Sequence, residues 1–89
     1  MPLTDLITPE SVLPALKVNS KKQALQELAE RAATVSGLPE REIFDAVLQR
    51  ERLGSTGVGN GIAIPHAKLA KAQAIFGIFA RLDRPIDYE

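Results

Sequence analysis

Gly54-Ser55-Thr56-Gly57-Val58-Gly59-Asn60-Gly61-Ile62-Ala63-Ile64-Pro65-His66 holds four of the chain's six glycines and its only histidine. Three of those glycines alternate, at 57, 59 and 61. Glycine lets the backbone adopt positive φ and leaves its amides unshielded by a side chain. Successive exposed amides can form an anion-binding nest, and the same composition also suits a plain turn or hairpin. Beyond the glycines an apolar segment, Ile62-Ala63-Ile64, reads as a short strand. Pro65 then fixes its own φ and restrains the residue before it, so His66 is presented rigidly.

Two nucleotide-binding readings of this stretch fail on spacing. A phosphate-binding P-loop needs Gly-x-x-x-x-Gly-Lys-Ser/Thr, and Asn60 stands where the lysine belongs. A dinucleotide fingerprint needs Gly-x-Gly-x-x-Gly opening a helix, whereas Gly57-x-Gly59-x-Gly61 leads into a strand.

Upstream, the pattern is helical. Ser20 and Gln23 form a capping-box pair, and Ala24, Leu25, Leu28, Ala29, Ala32 and Ala33 recur at helical spacing up to Gly37, a natural stop. Glu27 and Arg31 are placed to pair on the wet face. A second helix is predicted from Pro39 to just before Gly54. Glu40 and Glu42 suit its positive end, and Ile43, Phe44, Val47 and Leu48 form its buried stripe. Downstream, Ala72–Leu82 reads as a longer strand, apolar on both faces and so expected to be covered on both, with Phe76 and Phe79 in the core. Near the N-terminus, Thr8-Pro9-Glu10 reads as a helix start, the helix being stopped by Pro14. Leu16-Lys17-Val18 reads as a brief strand.

These elements predict one α/β domain over residues 1–89, with a central strand covered by helices. Eleven basic residues balance eleven acidic ones, which gives no reason to expect a nucleic-acid partner. Hydrophobic residues at 45% argue for a folded chain. The chain has no cysteine, and one histidine is a poor basis for a zinc site, so no metal is expected. The apolar run Ala74–Ala80 is too short to span a bilayer, and the first residues lack a signal-peptide pattern, so a cytoplasmic location is expected.

His66 is, on its own, a surface or structural histidine or a nucleophile. Arg50 and Arg52 complement a helix C-terminus or clamp phosphoryl oxygens. Ser55 and Thr56 brace the loop or offer hydroxyl donors. Lys68 and Lys71 are surface charges or the border of a docking face.

The run from Gly54 to Leu69 resembles the active-site signature of the enzyme IIA domains of the bacterial sugar phosphotransferase system, in the fructose, mannitol and nitrogen-regulatory class. It is most similar to the nitrogen-regulatory branch. The likeness extends to Ser20-Lys21-Lys22-Gln23-Ala24-Leu25, Arg50-Glu51-Arg52-Leu53 and Arg81-Leu82-Asp83-Arg84-Pro85-Ile86, and so covers nearly the whole chain. The resemblance implies a three-layer α/β/α fold with a mixed β-sheet and helices on both faces, of which this chain corresponds to the N-terminal portion. It implies that His66 accepts a phosphoryl group on its ε nitrogen from a histidine-containing phosphocarrier protein, with no cofactor. Arg50 matches the position that stabilises the transferred group, and Arg52 stands where the family also accepts lysine. Ser55, Thr56, Gly57, Gly59, Asn60 and Gly61 would support the phosphate.

In the nitrogen-regulatory branch the phosphorylation state governs contact with regulatory target proteins. In the sugar-specific branch the group passes to a IIB domain for uptake of a fructose- or mannitol-type sugar. A third reading is a structural domain with a glycine-rich hairpin. With only two substantial helices to cover a two-sided apolar strand, a chain of this length is expected to associate with a second copy of itself.

Overall fold

The computed structural model describes residues 8–69 and 77–88. A 3₁₀ turn at Pro9–Ser11 leads into β1 (Val12–Leu16), α1 (Lys21–Ser36), α2 (Glu40–Leu53), β2 (Gly57–Gly59), β3 (Ile62–Ala63) and β4 (Phe79–Leu82). β1 and β4 pair in parallel, Val12 opposite Phe79 and Leu13 opposite Ala80. β2 and β3 pair antiparallel. The chain is therefore α/β, with both parallel and antiparallel pairing among the described residues.

α1 forms where its periodicity places it. The Ser20 hydroxyl accepts the Gln23 amide at 3.2 Å. The Gln23 side chain reaches one residue further back than in a standard capping box and accepts from the Asn19 amide at 2.7 Å. Gly37 ends the helix in the left-handed conformation, φ 77°, with its amide on the Ala33 carbonyl. Ala24, Leu25, Ala29 and Ala32 are buried. α2 follows at Glu40, with Glu40 and Glu42 in its first turn and Arg50 and Arg52 in its last. Ala29 and Ala32 of α1 pack with Ile43 of α2, and Ala33, Leu38, Phe44, Val47, Leu69 and Ile78 close around them. Alanine contributes little apolar area but lets two helices approach closely.

Several expectations change. The N-terminal helix is one short 3₁₀ turn rather than a piece running to Pro14. The Ser11 hydroxyl closes it by accepting the Thr8 amide at 2.6 Å and donating to the Thr8 carbonyl at 2.7 Å. The chain then extends at once, so the strand is Val12–Leu16 and not Leu16–Val18. Pro14 lies inside it, exposed, in a sheet of only two described strands, where a missing amide is tolerated.

β4 is shorter than the strand read from sequence. Ala72 to Phe76 lies outside the described residues, and Gly77 and Ile78 precede the paired segment. Its two faces also differ. Ala80 and Leu82 are half-buried, but Phe79 is 57% exposed, so one face of this strand is open. Arg31, expected to pair with Glu27, donates from Nη1 to the Glu10 carbonyl at 2.8 Å and ties α1 to the 3₁₀ turn.

Candidate functional site

The glycine-rich stretch folds as a hairpin. Gly57 lies opposite Ala63 and Gly59 opposite Ile62, with a one-residue slip between the two pairs. Asn60 and Gly61 form the two-residue turn, both at positive φ, 56° and 75°. That matches the demand of the tight turns that suit twisted strands, for which Asn-Gly is the favoured pair. Gly59, at φ 86°, absorbs the slip. The Gly57 amide is taken by the Ser55 hydroxyl at 3.1 Å. The alternating glycines thus serve a paired ribbon rather than an open row of free amides.

A Cβ at Gly61 would meet nothing within 4 Å, so the cost of adding one is backbone strain alone. Gly61→Ala is expected to lower stability by about 1 kcal/mol. An unchanged urea midpoint would show that the turn relaxes freely.

The hairpin delivers His66. The Ile64 amide donates to the Thr56 carbonyl at 3.0 Å, which extends the pairing beyond β3. Past Pro65 the ring turns back, and His66 Nδ1 lies 2.9 Å from the Ile64 carbonyl oxygen. A carbonyl can only accept, so Nδ1 carries the proton and donates it. In the neutral ring that leaves the Nε2 lone pair free. His66 is exposed, as are Val58, Ile62 and Ile64 on the hairpin. Sequence gave no hint of the partner of Nδ1, because that partner is a backbone atom.

Arg50, half-buried in the last turn of α2, donates from Nη1 to the Gly54 carbonyl at 2.9 Å. It caps the helix end and holds the entry to the hairpin. Among the described residues its other guanidinium donors make no hydrogen bond. Arg52 is exposed. Thr56 is a brace. Its amide donates to Glu51 Oε1 at 3.1 Å and its hydroxyl donates to Glu51 Oε2. The Thr56 oxygen in turn lies 3.0 Å from the Tyr88 hydroxyl, which donates to it. Lys68 is exposed, and Lys71 lies outside the described residues.

Glu51 is the residue that sequence reading missed. It is buried at the C-terminal end of α2, with Lys21 Nζ of α1 2.8 Å from Oε1. That ammonium also sits 4.5 Å from the centre of the Tyr88 ring. The signal was in the helical spacing: Glu51 lies four residues after Val47 and three after Leu48, so it continues the buried stripe. A carboxylate in that place requires partners. Burial raises the Glu51 carboxyl, but the bonds from Lys21, the Thr56 hydroxyl and the Thr56 amide, with the Lys21 charge, together hold it below the usual range. Burial also raises the Tyr88 phenol, which stays neutral and able to donate.

Among the described residues no group of three or more His, Cys, Asp or Glu side chains could hold a metal ion. No helix among them is long and apolar enough to cross a membrane.

The site is an exposed imidazole, held by a backbone carbonyl, at the end of a hairpin braced from α2. Residues 5–89 match the model of the phosphoenolpyruvate-dependent sugar phosphotransferase system EIIA 2 family, and the chain belongs to that family. It is 67% identical to a nitrogen regulatory protein of Bradyrhizobium diazoefficiens, over all of this chain and 58% of that one. It is 41% identical to a nitrogen regulatory protein of Klebsiella oxytoca, over 98% of this chain and 54% of the relative. The crystal structure of nitrogen regulatory protein IIA-Ntr from Neisseria meningitidis superposes with a TM-score of 0.89 at 31% identity, covering 94% of this chain and 57% of that one. The chain thus spans a little over half the length of these relatives.

Proposed function

We propose that this domain is a regulatory phosphocarrier that accepts a phosphoryl group on His66 Nε2. The observation that carries the reading is the Nδ1 hydrogen bond to the Ile64 carbonyl. The donor is the phosphohistidine of a small histidine-containing phosphocarrier protein. The Nε2 lone pair attacks phosphorus, a new N–P bond forms, and the donor's N–P bond breaks with its electron pair returning to the donor imidazole. As the bond forms, positive charge grows on the His66 ring and Nδ1–H becomes more acidic. Its hydrogen bond to Ile64 therefore strengthens toward the transition state, the condition for a contact to accelerate a step. Arg50 offers its remaining donors to the phosphoryl oxygens, Ser55 offers its hydroxyl, and Gly57, Gly59, Asn60 and Gly61 shape the turn beside them.

The exposure of His66 suits transfer between two proteins. Val58, Ile62 and Ile64 are exposed on the hairpin that carries it, an apolar surface on which a carrier can dock. The relatives' names, nitrogen regulatory protein, support a regulatory role, which we read as signalling to target proteins in the cytoplasm, over transfer to a IIB domain for sugar uptake.

The test is to incubate the chain with phosphoenolpyruvate and its upstream carrier chain, then map the acid-labile label by mass spectrometry. Label on His66 is expected, and label elsewhere refutes the reading. Arg50→Ala should slow transfer by about 10- to 1,000-fold. If the slope of rate against donor concentration is unchanged, Arg50 is a helix cap alone.

Leu53 and Phe79, outside the hairpin groups given to the carrier, are exposed apolar side chains that support pairing of the 89-residue chain with a second copy. Sedimentation at micromolar concentration should give a dimer mass. A monomer that unfolds cooperatively would show that this surface tolerates water.

A further inference from the structure

Glu51 lies at the root of an unbroken series of contacts that ends on the imidazole. Its carboxylate holds Thr56 at two points, the amide at 3.1 Å and the hydroxyl. The Thr56 carbonyl holds the Ile64 amide at 3.0 Å. The Ile64 carbonyl holds His66 Nδ1 at 2.9 Å. Thr56 and Ile64 each contribute both an amide and a carbonyl, so a displacement of one group carries the other with it. The carboxylate is itself fixed, by the Lys21 ammonium at 2.8 Å and, through the Thr56 oxygen, by the Tyr88 hydroxyl. A helix packed into the core thereby sets the position of an exposed ring.

From this geometry we infer that Glu51 is a positioning residue for His66, fixing its tautomer and aim through Thr56 and Ile64, with Lys21 and Tyr88 fixing Glu51. The inference rests on the phosphoryl-transfer reading for its consequence in rate, but its geometric content stands apart from that reading. The carboxylate's acceptor-only character matters. Both oxygens receive protons from Thr56 while one also faces Lys21. A carboxamide at this position offers one acceptor and one donor group, and the donor would oppose the Thr56 hydroxyl proton. The hairpin root would then shift, and with it the Ile64 carbonyl. A ring released from that carbonyl is free to carry its proton on Nε2, the form that has no lone pair there for attack.

The experiment compares the wild-type chain with Glu51→Gln and Thr56→Val, each checked for folding by circular dichroism and amide spectra. Thr56→Val leaves Glu51 and Lys21 in place, and decides the matter if Glu51→Gln does not fold. Imidazole ¹⁵N spectra report the tautomer, and stopped-time transfer assays report rate against donor concentration. In wild type Nδ1 should be protonated and Nε2 not. In both variants the population with the proton on Nε2 should rise, and the maximal transfer rate should fall about 10- to 100-fold with little change in the donor concentration for half-maximal rate. Folded variants with the wild-type tautomer and the wild-type rate overturn the inference. If the wild-type chain accepts no phosphoryl group, the proposed function fails, while the tautomer spectra still decide whether Glu51 positions the ring.

Discussion

Replacing His66 by alanine is expected to leave a folded chain that takes up no phosphoryl group. The two halves of that expectation rest on different links. Folding is spared because the ring is exposed and its hydrogen bond is local, to the residue two positions earlier. Surface substitutions of this kind change stability by about 0.5 kcal/mol or less. Transfer is lost because no other histidine exists in the chain to take the group. Thr56, the buried hydroxyl at the root of the hairpin, has its proton committed to Glu51. Arg50 and the turn would still be present, but in the proposed mechanism they only position and stabilise, and there is then nothing to attack. A labelled-donor assay beside a thermal melt checks both halves. Undiminished label in His66→Ala places the chemistry elsewhere, and a collapsed melt makes the residue structural.

Glu51→Ala is expected to lower stability by about 3 kcal/mol, a large share of what holds a small domain together. Removing one partner of a buried ion pair leaves the other uncompensated, which costs about 3–5 kcal/mol in general. The lower figure applies because the Lys21 side chain is 27% exposed and regains water, whereas that of Glu51 is 3% exposed. The Thr56 amide, its hydroxyl and the Tyr88 hydroxyl also lose the acceptor that organises them. The pH dependence has a fixed sign. The folded Glu51 carboxyl lies below its ordinary value of 4.5, so it stabilises the fold fully above that value. That contribution fades as pH falls through the depressed folded value. Urea midpoints measured down the acid limb should therefore drop for wild type and drop less for Glu51→Gln. Parallel acid limbs would mean that other carboxylates carry the effect.

The helices were legible because their signals are local. Ser20 and Gly37 bracket an alanine-rich stripe, and Pro39 and Gly54 bracket the next, so α1 and α2 fall within a residue of where the pattern puts them. β1 was not, because Pro14 reads as a stop when the partner strand is unknown. It is tolerated where, among the described residues, only β4 lies alongside. Phe79 was misplaced for a related reason: alternation describes which residues share a face, not whether anything covers it. The assignment of His66 came from the resemblance of a long motif, since one histidine after a glycine-rich run has several ordinary explanations. The support beneath it was hidden because it is made of backbone carbonyls and of side chains far apart in sequence. Lys21, Glu51, Thr56 and Tyr88 meet only once both helices and the chain's last described residues are in place.

The position of the phosphoryl group on the ring tests the central claim most directly. ³¹P and ¹⁵N spectra of the phosphorylated chain distinguish the two imidazole nitrogens. Phosphorus bonded to His66 Nε2, with Nδ1 still protonated and donating to the Ile64 carbonyl, is the predicted result. Phosphorus on Nδ1, or on any other residue, would contradict it.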